Sequence, residues 1–344
     1  MREGFVKCYC EHTLFVKTEG GNSLIISLYV DDLIYTSNSE SMLDSFKKSM
    51  QEEFSMTDLG KMKYCLGVEV IQDEAGIFIS QRKYALETLK KYGMQDCNAV
   101  RNPMVPGNKL TKRGAGEEVD PTAYKQLVGS LRYLTATRPD LIYSVNVVSR
   151  YMENPREEHM MAVKHIMRYV KGTAGFGIQY LCGGEEKLVG YVDSDYAGDE
   201  DDRKSTSGFT FMFGGGAVSW SSKKQPIVTL STTEAEYVAA ANGACQAVWM
   251  RNMLTEIGFG QGDGTVLFCD NSSAIKLSKN LVLHGRSKHI HVRFHFLREL
   301  VNEGIISTEY CSTHEQLADI MTKPVKLEVF EKLRADIGVT LKEG

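Results

Sequence analysis

Apolar and polar positions divide the chain into three stretches of different period. Residues 1–80 read mainly as strands. Ser23–Val30 and Leu33–Thr36 flank a two-residue acidic turn, the pattern of a β-hairpin. Ser41–Phe54 reads as a short amphipathic helix, and Tyr64–Ile71 and Gly76–Ser80 as a second strand pair around Asp73-Glu74-Ala75-Gly76. From Arg82 to Gly172 the period becomes helical: Tyr84, Leu86, Leu89 and Tyr92 mark one helix, and Tyr124, Leu127, Val128, Leu131 and Leu134 another. Between them a loop from about Asn98 to Pro121 holds Pro103, Pro106, Gly107, Gly114 and Gly116. That length is unusual inside a compact domain, so it is a linker or a functional loop. Pro139 stands at a first helical position. Asn154-Pro155 caps a further helix, with Glu157 and Glu158 in its first turn and its end at Gly172.

Past Gly183-Gly184 the pattern changes again. Lys187–Asp193, Gly208–Phe213 and Ala217–Ser222 read as strands, Ser231–Gly258 as a long helix, Thr265–Cys269 as a fourth strand and Asn271–Lys279 as a second helix. His289–Asn302, Ile305–Cys311 and Glu315–Thr322 follow as helix, strand and helix, ending before Pro324. The order βββαβααβα suits a mixed sheet flanked by helices. No internal repeat is present. The expected organisation is α/β, or α+β multidomain, with boundaries at 1–80, 81–182 and 183–344.

Composition narrows the class. The chain has 344 residues, 42% of them apolar, enough for two or three buried cores. A net charge of −4 does not announce a nucleic-acid binder, so any phosphate contact must come from local patches. Eight cysteines lie scattered without a CxxC pair, and Cys8-x-Cys10 is a poor zinc signature; free buried thiols in a reducing compartment are the expectation. The start, MREGFVKCYCEHTLF, lacks the apolar core of a signal peptide. The apolar run around Leu24–Val30 falls far short of the ~20 residues a membrane span needs. These features point to a soluble intracellular protein, cytoplasmic or nuclear and not secreted, without membrane contact.

The candidate chemistry is carboxylate chemistry. Asp193 closes the strand Lys187–Val192, Asp270 closes Thr265–Cys269, Glu236 lies in the first turn of the long helix and Asp319 lies in the last helix. Strand ends around one sheet can converge, and four carboxylates there make a cage for hard cations such as Mg²⁺. Two such metals activate a water and stabilise the leaving oxygen of a phosphodiester. The competing reading is that strand-end acids are solvated turn residues. Asp195, on the same strand face as Asp193, is expected to be solvated. Ser231-x-x-Glu234 has the spacing of a capping box, and Thr233-x-x-Glu236 shares it.

Five ordered segments, GYVDSDYAGDEDDRKSTSGF (190–209), VSWSSKKQPIVTLSTTEAEYVAAA (218–241), CDNSSAIKLSKN (269–280), GRSKHIHVRFHFLREL (285–300) and EQLADIMTKP (315–324), resemble the ribonuclease H domain of copia-type LTR retrotransposon Pol polyproteins. The resemblance implies a ribonuclease H fold, cleavage of the RNA strand of RNA/DNA hybrids, and dependence on Mg²⁺, with Mn²⁺ as a substitute. It places the metal-binding and catalytic acids on Asp193, Glu236, Asp270 and Asp319. His314, in a predicted loop five residues before Asp319, matches a mobile loop histidine of cellular ribonucleases H, although copia-type sequences usually lack it; a part in proton transfer or product release is the expectation. His289, His291 and His295 have no Glu or Cys in a zinc spacing. With Lys288, Arg293 and Arg298 they read instead as a basic helix face touching phosphates. Arg203 and Lys204, in the turn RKSTSG, are either backbone-phosphate contacts or part of an ordinary hairpin turn.

Upstream, Tyr29-Val30-Asp31-Asp32 resembles the catalytic hairpin of reverse transcriptases, where paired acids share metals with a nucleotide's phosphates. TDLGKMKYCLGVEV (57–70) resembles the copia-type primer grip, and ISQRKYALETLKKYGMQDC (79–97) and LVGSLRYLTATRPDLIYSVNVVSRYM (127–152) the thumb and connection that follow. The resemblance thus implies a truncated palm over 1–80, a helical thumb or connection over 81–182, and a ribonuclease H-like domain over 183–344. No Asp precedes Asp31, whereas reverse transcriptases need another on an earlier strand. DNA synthesis by this chain alone is therefore not expected, and Asp31 and Asp32 are a polymerase remnant. Expected partners are RNA/DNA hybrid and other retroelement Pol products. The alternative is a catalytically inactive retroelement remnant that at most binds nucleic acid.

Overall fold

The computed structural model describes residues 4–279 and 291–342, without the side chains of 291–294. The chain folds into two compact units, Met1–Lys63 with Gln246–Asp263, and Tyr64–Cys245 with Gly264–Gly344.

The first unit holds an antiparallel sheet in chain order, β1 (Val6–Lys7), β2 (Leu14–Glu19), β3 (Asn22–Tyr29) and β4 (Asp32–Ser37), with α1 (Glu40–Glu53). Leu24 and Ile26 alternate inward from β3 onto Phe46 of α1 and form a small core, as a period of two requires. Ser39 caps α1, its side chain accepting from the Met42 N–H. The hairpin turn differs from the expected acidic pair. Tyr29 pairs with Asp32, so the turn residues are Val30 and Asp31. Val30 stands at φ +53°, which a β-branched residue seldom adopts.

In the second unit, β5 (Tyr64–Cys65), β6 (Val68–Asp73) and β7 (Gly76–Ser80) lead into α2 (Arg82–Lys91), α3 (Pro121–Leu134), a 3-10 turn (Pro139–Leu141), α4 (Ile142–Ser149) and α5 (Glu157–Gly172). Then come β8 (Phe176–Leu181), β9 (Val189–Ser194), β10 (Thr206–Phe213), β11 (Gly216–Lys224), α6 (Thr232–Glu256), β12 (Thr265–Cys269) and α7 (Ser272–Lys279). The chain closes with α8 (His291–Asn302), β13 (Ile306–Tyr310), a 3-10 segment (Leu317–Met321), α9 (Leu327–Asp336) and β14 (Val339–Leu341). Two five-stranded sheets result, in the orders β14-β8-β7-β6-β5 and β11-β10-β9-β12-β13. The expected boundaries at 80 and 182 do not follow these units. β7 pairs with β8, and β8 with β14, because each of those short strands needs a neighbour for its ladder groups.

Among the described residues, a large core of this unit runs from Ala85 and Leu89 through Tyr124, Leu131, Val148 and Ile166 to Ile320, Phe330 and Val339. The long loop after α2 contributes Met104 and Leu110 to that core, so it is a packed strap rather than a linker. Its far end also caps α5: Glu157 N–H donates to Glu117 O at 3.0 Å and Glu158 N–H to Ala115 O at 3.2 Å. The His159 Nδ1, at 2.9 Å, accepts from Arg156 N–H, so Arg156 and His159 rather than Asn154-Pro155 close that end. A buried ion pair crosses the same core. Arg138 donates to both Asp140 carboxylate oxygens at 2.8 and 2.7 Å, and the Tyr169 hydroxyl donates to Asp140 Oδ2 at 2.6 Å.

Candidate active site

Parallel pairing brings the first two acids together. β12 runs parallel to β9 with Phe268 opposite Tyr191, so two residues further on Asp270 comes level with Asp193 at the strands' C-terminal ends. Asp193 is 1% exposed and lies opposite Gly208 of antiparallel β10. The third acid comes from the 3-10 segment, which includes Asp319, 3% exposed. Gly208 makes its approach possible: a Cβ there would lie 2.6 Å from Met321 Cβ and 2.7 Å from Thr322 Cγ2. Gln316 fixes the same segment, donating from Nε2 to the Val192 carbonyl at 2.9 Å while its Oε1 accepts from Ala318 N–H at 3.2 Å.

Glu236, 7% exposed, is brought in by α6. The spacing around Ser231 behaves as a cap: Glu234 N–H donates to Ser231 Oγ at 3.2 Å, and Glu234 Oε2 accepts from Leu230 N–H at 2.6 Å. The Glu236 carboxylate instead meets the Cys269 thiol, which donates to its Oε2 at 3.9 Å. Two contacts seat its helix. Gln225 Nε2 lies within hydrogen-bond reach of Ala235 O (3.0 Å), Ser194 Oγ (3.1 Å) and Ser207 Oγ (2.9 Å). Gly243 lets α6 rest on β9, since a Cβ there would lie 2.5 Å from Val192 Cγ1.

The acids form two overlapping groups. Asp193, Asp270 and Asp319 offer carboxylate oxygens all within 4.8 Å of one another, and so do Glu236 and Asp270 together with the thiol of Cys269. Burial, and then the neighbouring carboxylates, push Glu236 up to about 10 and Asp319 up to about 7. Burial also raises Asp193, against the pull of Lys323 and the Thr322 hydroxyl. Lys323 Nζ stands 2.8 Å from Asp319 Oδ1 and 3.5 Å from Asp193 Oδ2, and Thr322 Oγ1 donates to Asp193 Oδ2. Thr313 Oγ1 donates to Asp270 Oδ2 at 3.0 Å. The Asp193-Asp270-Asp319 group offers only oxygen, with more carboxylates than one ammonium can balance, which matches what a hard divalent cation requires; the second group adds a thiol to its two carboxylates.

Several expectations end differently. Asp195 is half-buried rather than solvated: its Oδ1 accepts from the Thr206 N–H, and burial pushes its carboxyl up to about 6. The Arg203-Lys204 turn is organised by acids, which argues for the hairpin-turn reading. Asp199 Oδ1 accepts from the Asp201 and Asp202 N–H groups, Arg203 pairs with Glu200 at 3.1 Å, and Lys204 meets Asp202 at 3.7 Å. Glu200 and Asp201 in turn hold Lys109 and the Lys112 N–H of the strap. His314 is exposed and its carbonyl accepts from Lys332 at 3.2 Å; its ring is not among the groups gathered at the acids. Lys288 and the side chain of Arg293 lie outside the described residues. Asp31 and Asp32 are exposed in the first unit. All eight cysteines are free, but only Cys8, Cys269 and Cys311 are buried. No described helix is long and apolar enough to cross a membrane.

Lys323, Thr322, Gln225 and Gln316 were not singled out in the sequence, and Gly208 only as a strand start; all five lie inside the quoted segments, and Lys323 alone adds the spacing of one helical turn after Asp319.

A mixed sheet of three antiparallel strands continued by two parallel ones, flanked by helices and carrying acids at its strand ends, defines a ribonuclease H-like fold. A family model described as reverse transcriptase (RNA-dependent DNA polymerase) matches residues 1–106. The retrovirus-related Pol polyprotein from transposon RE1 of Arabidopsis thaliana is 40% identical over 337 residues, covering 98% of this chain and 23% of its own length. The putative transposon Ty5-1 protein of Saccharomyces cerevisiae is 30% identical over 241 residues, covering 69% of this chain and 78% of its own. Among solved structures, the foamy viral protease-reverse transcriptase in complex with RNA/DNA hybrid overlays with a TM-score of 0.51 at 15% identity, covering 88% of this chain and 37% of that one. The chain belongs to the copia-type retrotransposon Pol polyprotein family. It spans 23% of the RE1 polyprotein.

Proposed function

We propose that the second unit is a ribonuclease H that hydrolyses the RNA strand of RNA/DNA hybrids, with Mg²⁺ held among Asp193, Glu236, Asp270 and Asp319. The observation that supports this reading is the convergence of these four acids from β9, α6, the end of β12 and the 3-10 segment. When bound, divalent ions lower the pKa of a water and neutralise charge on the leaving oxygen. The protein's own part is to fix the donors. Asp193 and Asp270 are held by parallel strand ends, Glu236 by the Gln225 contact to its helix, and Asp319 by the Gln316 anchor. Water oxygen bonds to phosphorus, the bond to the 3′-oxygen breaks, and that oxygen takes up a proton. With such ions held there, the carboxyls raised by burial would serve as deprotonated ligands.

Residues 1–80 and 81–182 are read as part of a polymerase palm and a thumb or connection, with Asp31 and Asp32 exposed at the turn between β3 and β4.

The test of the nuclease is a hybrid with labelled RNA. Expected are RNA fragments bearing 5′-phosphates, an intact DNA strand, loss of cutting in EDTA and its return with Mg²⁺ or Mn²⁺. Equal cutting of single-stranded RNA, or no cutting by folded protein, contradicts the proposal; the second outcome favours an inactive remnant.

A further inference from the structure

The residue after Thr322 puts a cation into the acid cage, and the fold holds it there. Lys323 Nζ lies 2.8 Å from Asp319 Oδ1 and 3.5 Å from Asp193 Oδ2. Its backbone N–H donates to the Asp319 carbonyl at 3.1 Å, so backbone and side chain both close on the same residue. The neighbouring Thr322 hydroxyl donates to Asp193 Oδ2, and the missing Cβ of Gly208 lets the segment press onto β10. The Lys323 side chain is nevertheless 36% exposed, which leaves it a path to solvent. Lys323 meets two of the three acids in the Asp193-Asp270-Asp319 group, and Asp270 links that group to Glu236. An ammonium and a divalent cation drawn to the same carboxylate oxygens repel each other strongly at such distances.

Resting on the divalent-cation reading above, we propose that Lys323 is the built-in counter-ion of the three-aspartate group. In the metal-free protein its ammonium satisfies Asp193 and Asp319 and keeps them turned toward one another. An incoming divalent ion displaces it toward solvent. Lys323 is thus a positioning residue that stabilises the metal-free fold and weakens ion binding at the same group.

The test titrates Mn²⁺ calorimetrically into the parent, Lys323→Met, Lys323→Arg and Asp270→Asn proteins, with thermal unfolding in EDTA alongside. Loss of one positive charge beside the ion is expected to tighten Mn²⁺ binding of Lys323→Met about tenfold. The same variant should melt earlier than the parent in EDTA, and Lys323→Arg, which keeps the charge, should restore both values. Should the Met variant prove insoluble, Lys323→Gln gives the same charge loss with a polar head. Unchanged or weaker Mn²⁺ binding by a folded uncharged variant overturns the proposal, because a lysine with only a structural role would give that result. Absence of Mn²⁺ binding in the parent, or binding untouched by Asp270→Asn, overturns the divalent-ion reading itself and this inference with it.

Discussion

Glu236 and Asp319 differ from surface acids in where their protons go. Burial and then the adjoining carboxylates raise them to about 10 and about 7, above the ordinary carboxylate value of ~4. A folded-state pKa above the unfolded one means that the folded state binds the proton more tightly. The stability from these groups is therefore fully present below about pH 4, and is lost as pH rises through about 7 for Asp319 and about 10 for Glu236. The metal-free protein should melt at a lower temperature near pH 8 than near pH 5, and saturating Mg²⁺ should remove most of the difference. Thermal unfolding in EDTA and in Mg²⁺ at both pH values checks this; an equal fall with and without the ion would count against ligation by these acids. Elsewhere in the same unit, Arg138 and Asp140 are both buried and joined by two hydrogen bonds. Burial alone would raise the Asp140 carboxyl, but the Arg138 guanidinium and the Tyr169 hydroxyl hold it below its ordinary value. Arg138→Met strands that carboxylate and should cost about 3–5 kcal/mol in urea unfolding. A loss within error of zero would mean that Asp140 finds another partner.

At the level of elements, the sheet that carries the site was legible because its strands alternate or run apolar between clear turns. Thr265–Cys269 matches the expected span, and β9 to the 3-10 segment follow the order βββαβααβα with that segment in place of the final helix, but α9 and β14 come after it unread. Asp193, Asp270, Glu236 and Asp319 were singled out through motif resemblance; nothing in their spacing says that a parallel register would bring Asp270 level with Asp193. What stayed hidden depends on tertiary contact. Gln225 and Gln316 look like ordinary polar residues until a helix end and a strand carbonyl arrive beside them. The turn at Val30-Asp31 was misplaced by one residue, because the acidic pair suggested a turn that the ladder between Tyr29 and Asp32 does not form. The close approach at Gly208 gives an element-scale test. Gly208→Ala puts a Cβ 2.6 Å from Met321 Cβ, and should destabilise the unit by about 1–3 kcal/mol while shifting Asp319 from its partners. Calorimetric unfolding and the Mn²⁺ affinity read the two effects; an Ala variant with parental values for both would show that the 3-10 segment yields without cost.

Across the whole molecule, the unit that holds the acids extends beyond residues 183–344. A core of that unit runs from Ala85 to Val339, and β14 completes its sheet on β8, far upstream in the chain. A fragment cut at the expected boundary, residues 183–344, loses β8, α3, α4 and α5, and with them a large share of the core to which Ile320, Met321 and Phe330 belong. It should melt well below the full chain or aggregate, as scanning calorimetry and size-exclusion chromatography would report; a fragment as stable as the parent would restore the boundary read from the sequence. The central claim is that four acids gathered at the ends of β9 and β12, in α6 and in the 3-10 segment cut RNA paired to DNA. Incubating the full chain and Asp270→Asn with a labelled RNA/DNA hybrid in Mg²⁺ tests it most directly. Cutting of the RNA strand by the parent, and none by a variant that folds equally well, is the expected result; equal cutting by both, or none by the folded parent, contradicts it.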